Sequence, residues 1–385
     1  MKIIAKTFAG LEEVLAKEIE NIGGQQIELI NRAVKYEGHL ELLYQSNYLL
    51  RSALRILVPF AEFEITHPKA LYQHSYDFDW NTYLNPSMTF AIDAAINSDL
   101  FRHSNYPALM LKDAIADRIR KDKGIRPSVD TRNPDVKINL HIFKNKVTLS
   151  LDSSGNSLHK RGYRNLTVAA PINEVLAAGM ILISGWNGEL PFLDPMCGSG
   201  TLVIEAASLA LNRPPLYLRP SFGFMQWKDF DTSLWEKVLK ENNEKIKATS
   251  HFDIIGRDIN NKGVSAAGKN CLAAELYQNI IIEKGDFFKM PKIADRGVIM
   301  TNPPYDERME LTDTISYYKK LGDTLKQEYT DWSAWIISSN PEGLKNLGLK
   351  PSAKKTLFNG PLECKFQRFD MYAGSKKIRP NQKDF

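Results

Sequence analysis

The sequence predicts an α/β protein built from more than one unit, and three stretches carry that prediction. Val298-Ile-Met300 is a short apolar run that stops at Pro303-Pro304, which have no amide hydrogens with which to extend a strand ladder. Leu190-Pro-Phe-Leu-Asp194 is a second apolar run, followed by the loop Pro195-Met-Cys-Gly-Ser-Gly200 and a helical stretch Leu202–Leu211. Strand, glycine loop, helix is the first crossover of a Rossmann-like nucleotide-binding sheet. The first 65 residues alternate differently, in the order β-α-β-β-α-β of a ferredoxin-like unit.

Within residues 1–65, Lys2–Thr7 is an expected strand, and Leu11, Val14, Leu15 and Ile19 mark one face of a helix that Gly23-Gly24 ends. Strands follow at Gln26–Ile30 and Ala33–Glu37, then a helix over Leu40–Leu50 and a strand at Arg55–Glu64. Residues 66–155 form a second, α+β unit. It holds a strand at Met88–Ala94, a helix at Pro107–Gly124 and a hairpin of Val136–Phe143 with Lys146–Leu151. Leu111, Ile115 and Ile119 form the apolar face of that helix, and Lys112, Arg118, Arg120 and Lys121 project from it.

Residues 156–385 form the third unit. It opens on the basic segment Ser157–Arg164, with Lys160, Arg161 and Arg164, and leads through Pro171-Ile-Asn173 into a helix ending near Trp186. His159 in that segment is expected at the surface or on a phosphate, since its neighbours Lys160 and Arg161 disfavour its protonation. Residues 212–251, rich in aromatics and Lys/Glu, suggest a packed helical excursion with a charged helix at Trp235–Lys247; the other reading is an RNA-facing loop at Leu218–Trp227. The alternation then resumes with strands at Phe252–Asp258, Asn279–Glu283, Val298–Thr301, Trp332–Ser338, Lys354–Phe358 and Phe366–Tyr372, seven in all with the strand of Asp194. Asn359–Glu363 is the expected turn of a terminal antiparallel hairpin.

With 43% hydrophobic and 25% charged residues, the 385-residue composition is that of a globular protein. No run of about 18 apolar residues exists and the N-terminus lacks a signal-peptide core, so a cytoplasmic location is expected, with no membrane partner. Cys197, Cys271 and Cys364 are too few and too scattered for a disulfide framework, and no metal site is expected. Cys197 is read as a small loop residue rather than a nucleophile. The net charge of +5 is uneven: residues 101–165 carry 14 Lys/Arg against six Asp/Glu, leaving a net of −3 for the remainder. A local basic excess points to a nucleic-acid face, although a solvated structural face would look the same.

The chemistry lies at the strand ends. Asn302 and the carbonyl of Pro303 supply two acceptors for the two N–H groups of an exocyclic amine on a planar base, favouring a pyramidal, nucleophilic nitrogen. Tyr305 supplies a ring to stack on the base, and Asp306 and Glu307 are minor candidates for its proton. The alternative is a Pro-Pro turn that merely caps a strand. Asp194-Pro195 with Gly198 and Gly200 lacks the third glycine of the dinucleotide fingerprint and any following Gly-Lys-Ser/Thr, so it suits an adenosyl ligand without phosphates. Asp258 ends the next strand, where a carboxylate accepts from both ribose hydroxyls, with Ile259 packing on adenine. Asp286 and Phe287 offer an acid for the adenine amino group and an aromatic wall.

Together Asp194-Pro-Met-Cys-Gly-Ser-Gly-Thr201 and Thr301-Asn-Pro-Pro-Tyr305 resemble the motifs of class I S-adenosylmethionine-dependent methyltransferases that act on planar nitrogens. Arg102–Tyr106 with Lys112–Asp117 resembles the THUMP domain, which implies RNA binding. The whole layout is similar to THUMP-domain RNA methyltransferases of the RlmL/YpsC type. That resemblance implies transfer from S-adenosylmethionine to guanine N2 of 23S ribosomal RNA, or of a large-subunit assembly intermediate, leaving S-adenosylhomocysteine. It also implies catalytic roles for Asn302, Pro303, Pro304 and Tyr305, and cofactor contacts from Pro171, Asn173 and Thr201. Some relatives carry a second methyltransferase domain; because the chain ends shortly after Lys377, a second modification activity is not expected. A transfer-RNA guanine-N2 enzyme of the same superfamily and a non-catalytic RNA-binding assembly factor remain open. Adenine-N6 DNA enzymes and release-factor glutamine methyltransferases share Asn-Pro-Pro-Tyr but need no RNA module.

Overall fold

The computed structural model describes residues 1–103, 105–166, 171–304 and 311–372. The chain divides into two compact units: Met1–Arg161 with Leu216–Glu244, and Gly162–Pro215 with the residues from Lys245 onward.

The first unit contains β1 (Lys2–Lys6), α1 (Glu12–Asn21), β2 (Gln25–Ile30), β3 (Ala33–Glu37), α2 (Leu40–Leu49), β4 (Arg55–Glu64), α3 (Pro68–Asp77), β5 (Phe90–Asn97), α4 (Asn105–Lys123), β6 (Val136–Phe143) and β7 (Lys146–Asp152). All seven strands join one sheet in the order β2-β3-β1-β4-β7-β6-β5. β4 is the reason: at ten residues it pairs through Arg55–Leu57 with β1 and through Leu57–Glu64 with β7, so the ferredoxin-like and THUMP-like halves share a strand junction. β6 and β7 form the expected hairpin, with Lys144 at φ 56° in its turn. Gly124, at φ 72°, ends α4, a left-handed position that glycine adopts without strain.

Residues 216–244 leave the second unit to complete the first. Leu216, Phe222, Phe224, Trp235 and Val238 enter the core that contains Tyr44 and Tyr48. Tyr44 stacks on Phe224 with ring centroids 4.5 Å apart, and Tyr48 donates to Asn243 Oδ1 (2.8 Å). α7 (Thr232–Asn243) starts at Asp231, whose carboxylate accepts from Leu234 N–H. The packed excursion is therefore the correct reading of this segment. An RNA-facing loop at Leu218–Trp227 is excluded for Phe222 and Phe224, which are buried because α2 presents an aromatic face that needs covering.

The second unit contains α5 (Glu174–Ser184), β8 (Phe192–Asp194), α6 (Thr201–Ala210), β9 (Ile254–Asp258), α8 (Asn261–Ala273), β10 (Ile281–Lys284), β11 (Gly297–Thr301), α9 (Leu311–Glu328), β12 (Trp332–Ser338), α10 (Pro341–Lys345), β13 (Ala353–Asn359) and β14 (Leu362–Asp370). Its seven strands run β10-β9-β8-β11-β12-β14-β13. The first five are mutually parallel, and β14 returns antiparallel between β12 and β13. β13 and β14 turn where the sequence suggests, with Asn359 opposite Leu362. β10 starts two residues later than expected, because Tyr277–Asn279 form a short 3-10 turn first. Leu193, Ile255, Ile299 and Ile336 line the sheet centre, where Tyr318, Leu321 and Leu325 of α9 pack. β8 and β11 are buried along their whole lengths, as a parallel sheet covered on both faces requires. Among the described residues no helix is long and apolar enough to cross a membrane.

Candidate active site

Because β8, β9, β10 and β11 are parallel, their carboxyl ends share one edge of the sheet. Side by side along that edge lie the turn of Asp286, then Asp258, Asp194 and Asn302. Adjacent strands are about 4.8 Å apart, so the acid ending β9 and the amide following β11 are about 10 Å apart across the strand of Asp194.

The glycine loop is shaped by two left-handed residues, Gly198 at φ 52° and Gly200 at φ 84°. At Gly200 a Cβ would meet the Ala267 methyl at 3.1 Å, so both the backbone and the close approach of α8 call for glycine. Asp258 pins the loop: Gly198 N–H donates to its Oδ2 (2.9 Å) and Asn260 N–H to its Oδ1 (2.7 Å). Each carboxylate oxygen keeps a second lone pair for another donor. Gly285 N–H donates to the Asp258 carbonyl (3.0 Å), which ties the Asp286 turn to the end of β9. Asp286 accepts from Phe288 N–H (3.1 Å) and faces Lys289 at 3.7 Å.

Asp194 is 2% exposed and accepts from Met196 N–H (3.2 Å), so it closes the loop's first turn. Burial, with the nearby Asp258 charge, lifts its carboxyl to about 7. An acid raised in this way favours folding in its neutral form, so its contribution is complete below the unfolded value of 3.8 and is lost as pH rises through 7. Asp194→Asn should therefore gain on the wild type by up to about 4 kcal/mol between pH 4 and 8, read from denaturant midpoints at stepped pH. A difference that stays flat with pH would contradict this environment. Pro195 is buried beside Asp194, and Cys197 packs against Gly256, where a Cβ would lie 3.1 Å from its sulfur. Burial pushes the Cys197 thiol well above its ordinary value, which suits a packing residue and not a nucleophile.

Asn302 lies half-buried after the fully buried β11, Pro303 is buried and Pro304 is exposed. Tyr305, with Asp306 and Glu307, lies outside the described residues. Ile259 follows Asp258 and is 66% exposed, an apolar side chain left open beside that carboxylate. Pro171 is half-buried, and Asn173 caps α5 by accepting from Val175 N–H (2.9 Å). The residues therefore fit an adenosyl ligand: a glycine cradle, an acid at the adjoining strand end, and an open apolar surface for a ring. Among the described residues no cluster of three or more His, Cys, Asp or Glu could hold a metal ion.

Three expectations need correction. Phe287 is 3% exposed and stacks on Tyr329 in the core, so Phe288, half-buried beneath Lys320, is the aromatic that reaches outward. Arg161 is 2% exposed and donates to the Leu158 and Arg51 carbonyls, so it holds the chain instead of facing RNA. Arg164 is turned inward onto Glu174 (2.6 Å), the Ile172 carbonyl (2.9 Å) and Thr201 Oγ1 (2.9 Å); Thr201 is itself buried. Among the other basic candidates, Lys112 pairs with Asp113, Arg118 with Asp122 and Arg120 with Asp117. Arg120, Lys121 and Lys160 are exposed, and Lys121 lies over the Tyr76 ring. His159 Nδ1 lies 2.8 Å from Ser157 Oγ.

The sequence reading missed two further residues. Gly263, in the first turn of α8, leaves room for Asp258: a Cβ there would sit 2.9 Å from its carboxylate carbon. A glycine five positions after an acid-tipped strand is the available signal. Tyr317 of α9 donates to Met196 Sδ (3.1 Å) and supports the loop from below, with no signal in the sequence to announce it.

Comparison with known proteins places these features in a family. Residues 161–368 match the RMKL-like methyltransferase domain, residues 66–152 the THUMP domain and residues 2–57 the RlmL ferredoxin-like domain. A candidate RNA methyltransferase of Synechocystis sp. is 36% identical, with 96% of each chain covered. The ribosomal RNA large subunit methyltransferase K/L of Psychromonas ingrahamii is 38% identical over 94% of this chain and 49% of its own. The chain thus spans about half the length of the K/L relatives it matches. The crystal structure of SMU.472, a candidate methyltransferase complexed with SAH, superposes with a TM-score of 0.87 at 29% identity, covering 97% of this chain and 99% of that one. The chain belongs to the RMKL-like family of S-adenosylmethionine-dependent methyltransferases, with THUMP and RlmL-type ferredoxin-like domains preceding its methyltransferase domain.

Proposed function

We propose that this chain methylates the exocyclic N2 amino group of a guanosine in 23S ribosomal RNA, acting in the cytoplasm on the RNA or on a large-subunit assembly intermediate. The observation that carries the reading is the row of Asp258, the glycine loop and Asn302-Pro303 on neighbouring parallel strands. The choice of ribosomal RNA rests on the K/L relatives.

S-adenosylmethionine, when bound, supplies a methyl group on a sulfonium, already activated for displacement. Gly198 and Gly200 would admit its backbone-facing side, Asp258 would accept from ribose hydroxyls, Ile259 would cover the adenine, and Asp286 would accept from the adenine amine. Asn302 Oδ1 and the Pro303 carbonyl would accept the two N–H bonds of the guanine amine, directing the nitrogen lone pair to the methyl carbon. Tyr305 would stack on the base, which has to leave its helix to arrive there. Positioning supplies most of the acceleration, since the methylated nitrogen is acidic enough to lose its proton to water.

The test is incubation of the purified chain with labelled S-adenosylmethionine and, separately, unmodified 23S ribosomal RNA, transfer RNA and duplex DNA. Label in ribosomal RNA alone is expected. Label in transfer RNA alone would move the substrate to that class, and label in none, despite cofactor binding, would point to a non-catalytic role.

A further inference from the structure

Directly before residues 167–170, the segment Tyr163–Leu166 is fastened to the cofactor loop by two side chains that the function above leaves unused. Arg164 joins three separate pieces of chain. Its Nε donates to Glu174 at the start of α5, and its Nη2 donates both to the Ile172 carbonyl and to Thr201 Oγ1 at the first residue of α6. It thereby connects the Pro171–Asn173 segment to the end of the glycine loop. Glu174 is 95% buried at its side chain, so the pair is an interior one.

Asn270 of α8 performs the complementary task. It is 1% exposed, and all four hydrogen-bonding positions of its amide are occupied. Its oxygen accepts from Asn165 N–H (3.1 Å) and Leu166 N–H (3.2 Å); its nitrogen donates to the Leu166 carbonyl and to the Ser199 carbonyl, both at 3.0 Å. Ser199 is the residue between the two left-handed glycines. A buried amide with every position filled is a specifying element, because only a primary amide offers two donors and two acceptors in one plane, and Gln would carry it one methylene further out.

We infer that Arg164 and Asn270 are positioning residues that set the glycine loop for S-adenosylmethionine from both its Ser199 and Thr201 sides, and that Arg164 has no role in holding RNA. The inference rests on the assignment of that loop to the cofactor. Two bonds meet the loop at Ser199 and Thr201, one on each side of Gly200, so a loop freed of either would sample conformations in which Gly198 and Gly200 no longer present the same surface. Preorganisation lost in this way appears as weaker cofactor binding and not as slower transfer once the cofactor is bound.

Complete removal of Arg164 would leave Glu174 buried without its partner and would endanger folding, so the test uses conservative variants. Arg164→Lys keeps the charge beside Glu174 but cannot also reach Ile172 and Thr201 as a fork does. Asn270→Asp keeps the acceptor for Asn165 and Leu166 but turns a carboxylate oxygen toward the Leu166 and Ser199 carbonyls. Titration calorimetry with S-adenosylhomocysteine should show affinity reduced about tenfold or more in each variant. KM for S-adenosylmethionine should rise in parallel while kcat stays within about threefold of wild type, and RNA retained on a filter should bind within about twofold. Unchanged S-adenosylhomocysteine affinity would overturn the inference, as would an RNA affinity that falls in Arg164→Lys while cofactor binding holds. An equal fall in both affinities would mark a folding defect and also overturn it. Failure of the wild-type chain to bind S-adenosylhomocysteine would instead remove the cofactor site, and the inference with it.

Discussion

Asn302→Ala is expected to reduce kcat by about 1,000-fold while S-adenosylhomocysteine binds within a few-fold of wild type. The residue sits at the point where, on the proposed reading, the sheet edge passes from cofactor contacts to target contacts. β11 is buried through Thr301, and the two prolines after Asn302 force the chain out of the sheet, so the amide is presented from a rigid base. Removing a single preorganised polar group aimed at developing charge commonly costs about 100- to 1,000-fold. Here the same group also orients the nucleophile, which places the expected loss at the upper end. Asn302 does not touch the glycine loop or Asp258 in any hydrogen bond described, so cofactor affinity has no reason to change. A large drop in S-adenosylhomocysteine affinity with kcat preserved would reverse the assignment.

Asp258→Ala should have the opposite signature. Its carboxylate accepts from Gly198 and Asn260 backbone amides and has lone pairs left for a ribose. The variant loses the proposed ribose contact and also releases the loop amide at Gly198. Net hydrogen bonds to a charged group are worth about 1.5–3 kcal/mol each, so loss of two amounts to about 3–6 kcal/mol, or about 100- to 10,000-fold in affinity. Isothermal titration with S-adenosylhomocysteine measures this directly. The fold should survive, because Asp258 is half-exposed at a strand end and Gly263 beneath it merely gains space. Affinity within threefold of wild type would mean that the acid serves the loop alone.

What the residues announced and what they concealed follow a physical division. The glycine loop, the acid ending β9 and the Asn-Pro-Pro turn are local: each is a few consecutive residues whose backbone demands are visible in the residue types themselves. The family resemblance added roles to these positions but did not need to invent them. Arg161 and Arg164 show the limit of the same method. A run such as Lys160-Arg-Gly-Tyr-Arg164 looks like a basic surface, and nothing in it says that two guanidinium groups turn inward. Arg164 finds Glu174 ten residues on and Thr201 thirty-seven residues on, and only the fold brings these together. The 216–244 segment was legible as packed but not as to what it packs against, since Tyr44 and Tyr48 lie nearly two hundred residues away. Phe287 and Phe288 are adjacent, and alternation alone could not decide which one faces the core.

The basic charge follows the same division. Residues 101–165 carry the basic excess, yet Asp113, Asp117 and Asp122 pair with Lys112, Arg120 and Arg118 along α4. Exposed pairs of this kind are worth little and are easily exchanged for phosphate contacts. Arg120, Lys121 and Lys160 are exposed and, with Lys112 and Arg118 in their ion pairs, remain proposals for RNA contact.

The most direct test of the account is the identity of the methylated nucleoside. Unmodified 23S ribosomal RNA treated with the wild-type chain and labelled S-adenosylmethionine should be digested to nucleosides and separated by chromatography coupled to mass spectrometry. The account predicts N2-methylguanosine as the labelled product, absent with Asn302→Ala. Label in N6-methyladenosine, in a ring nitrogen or in ribose would contradict the role given to the Asn302 and Pro303 acceptors.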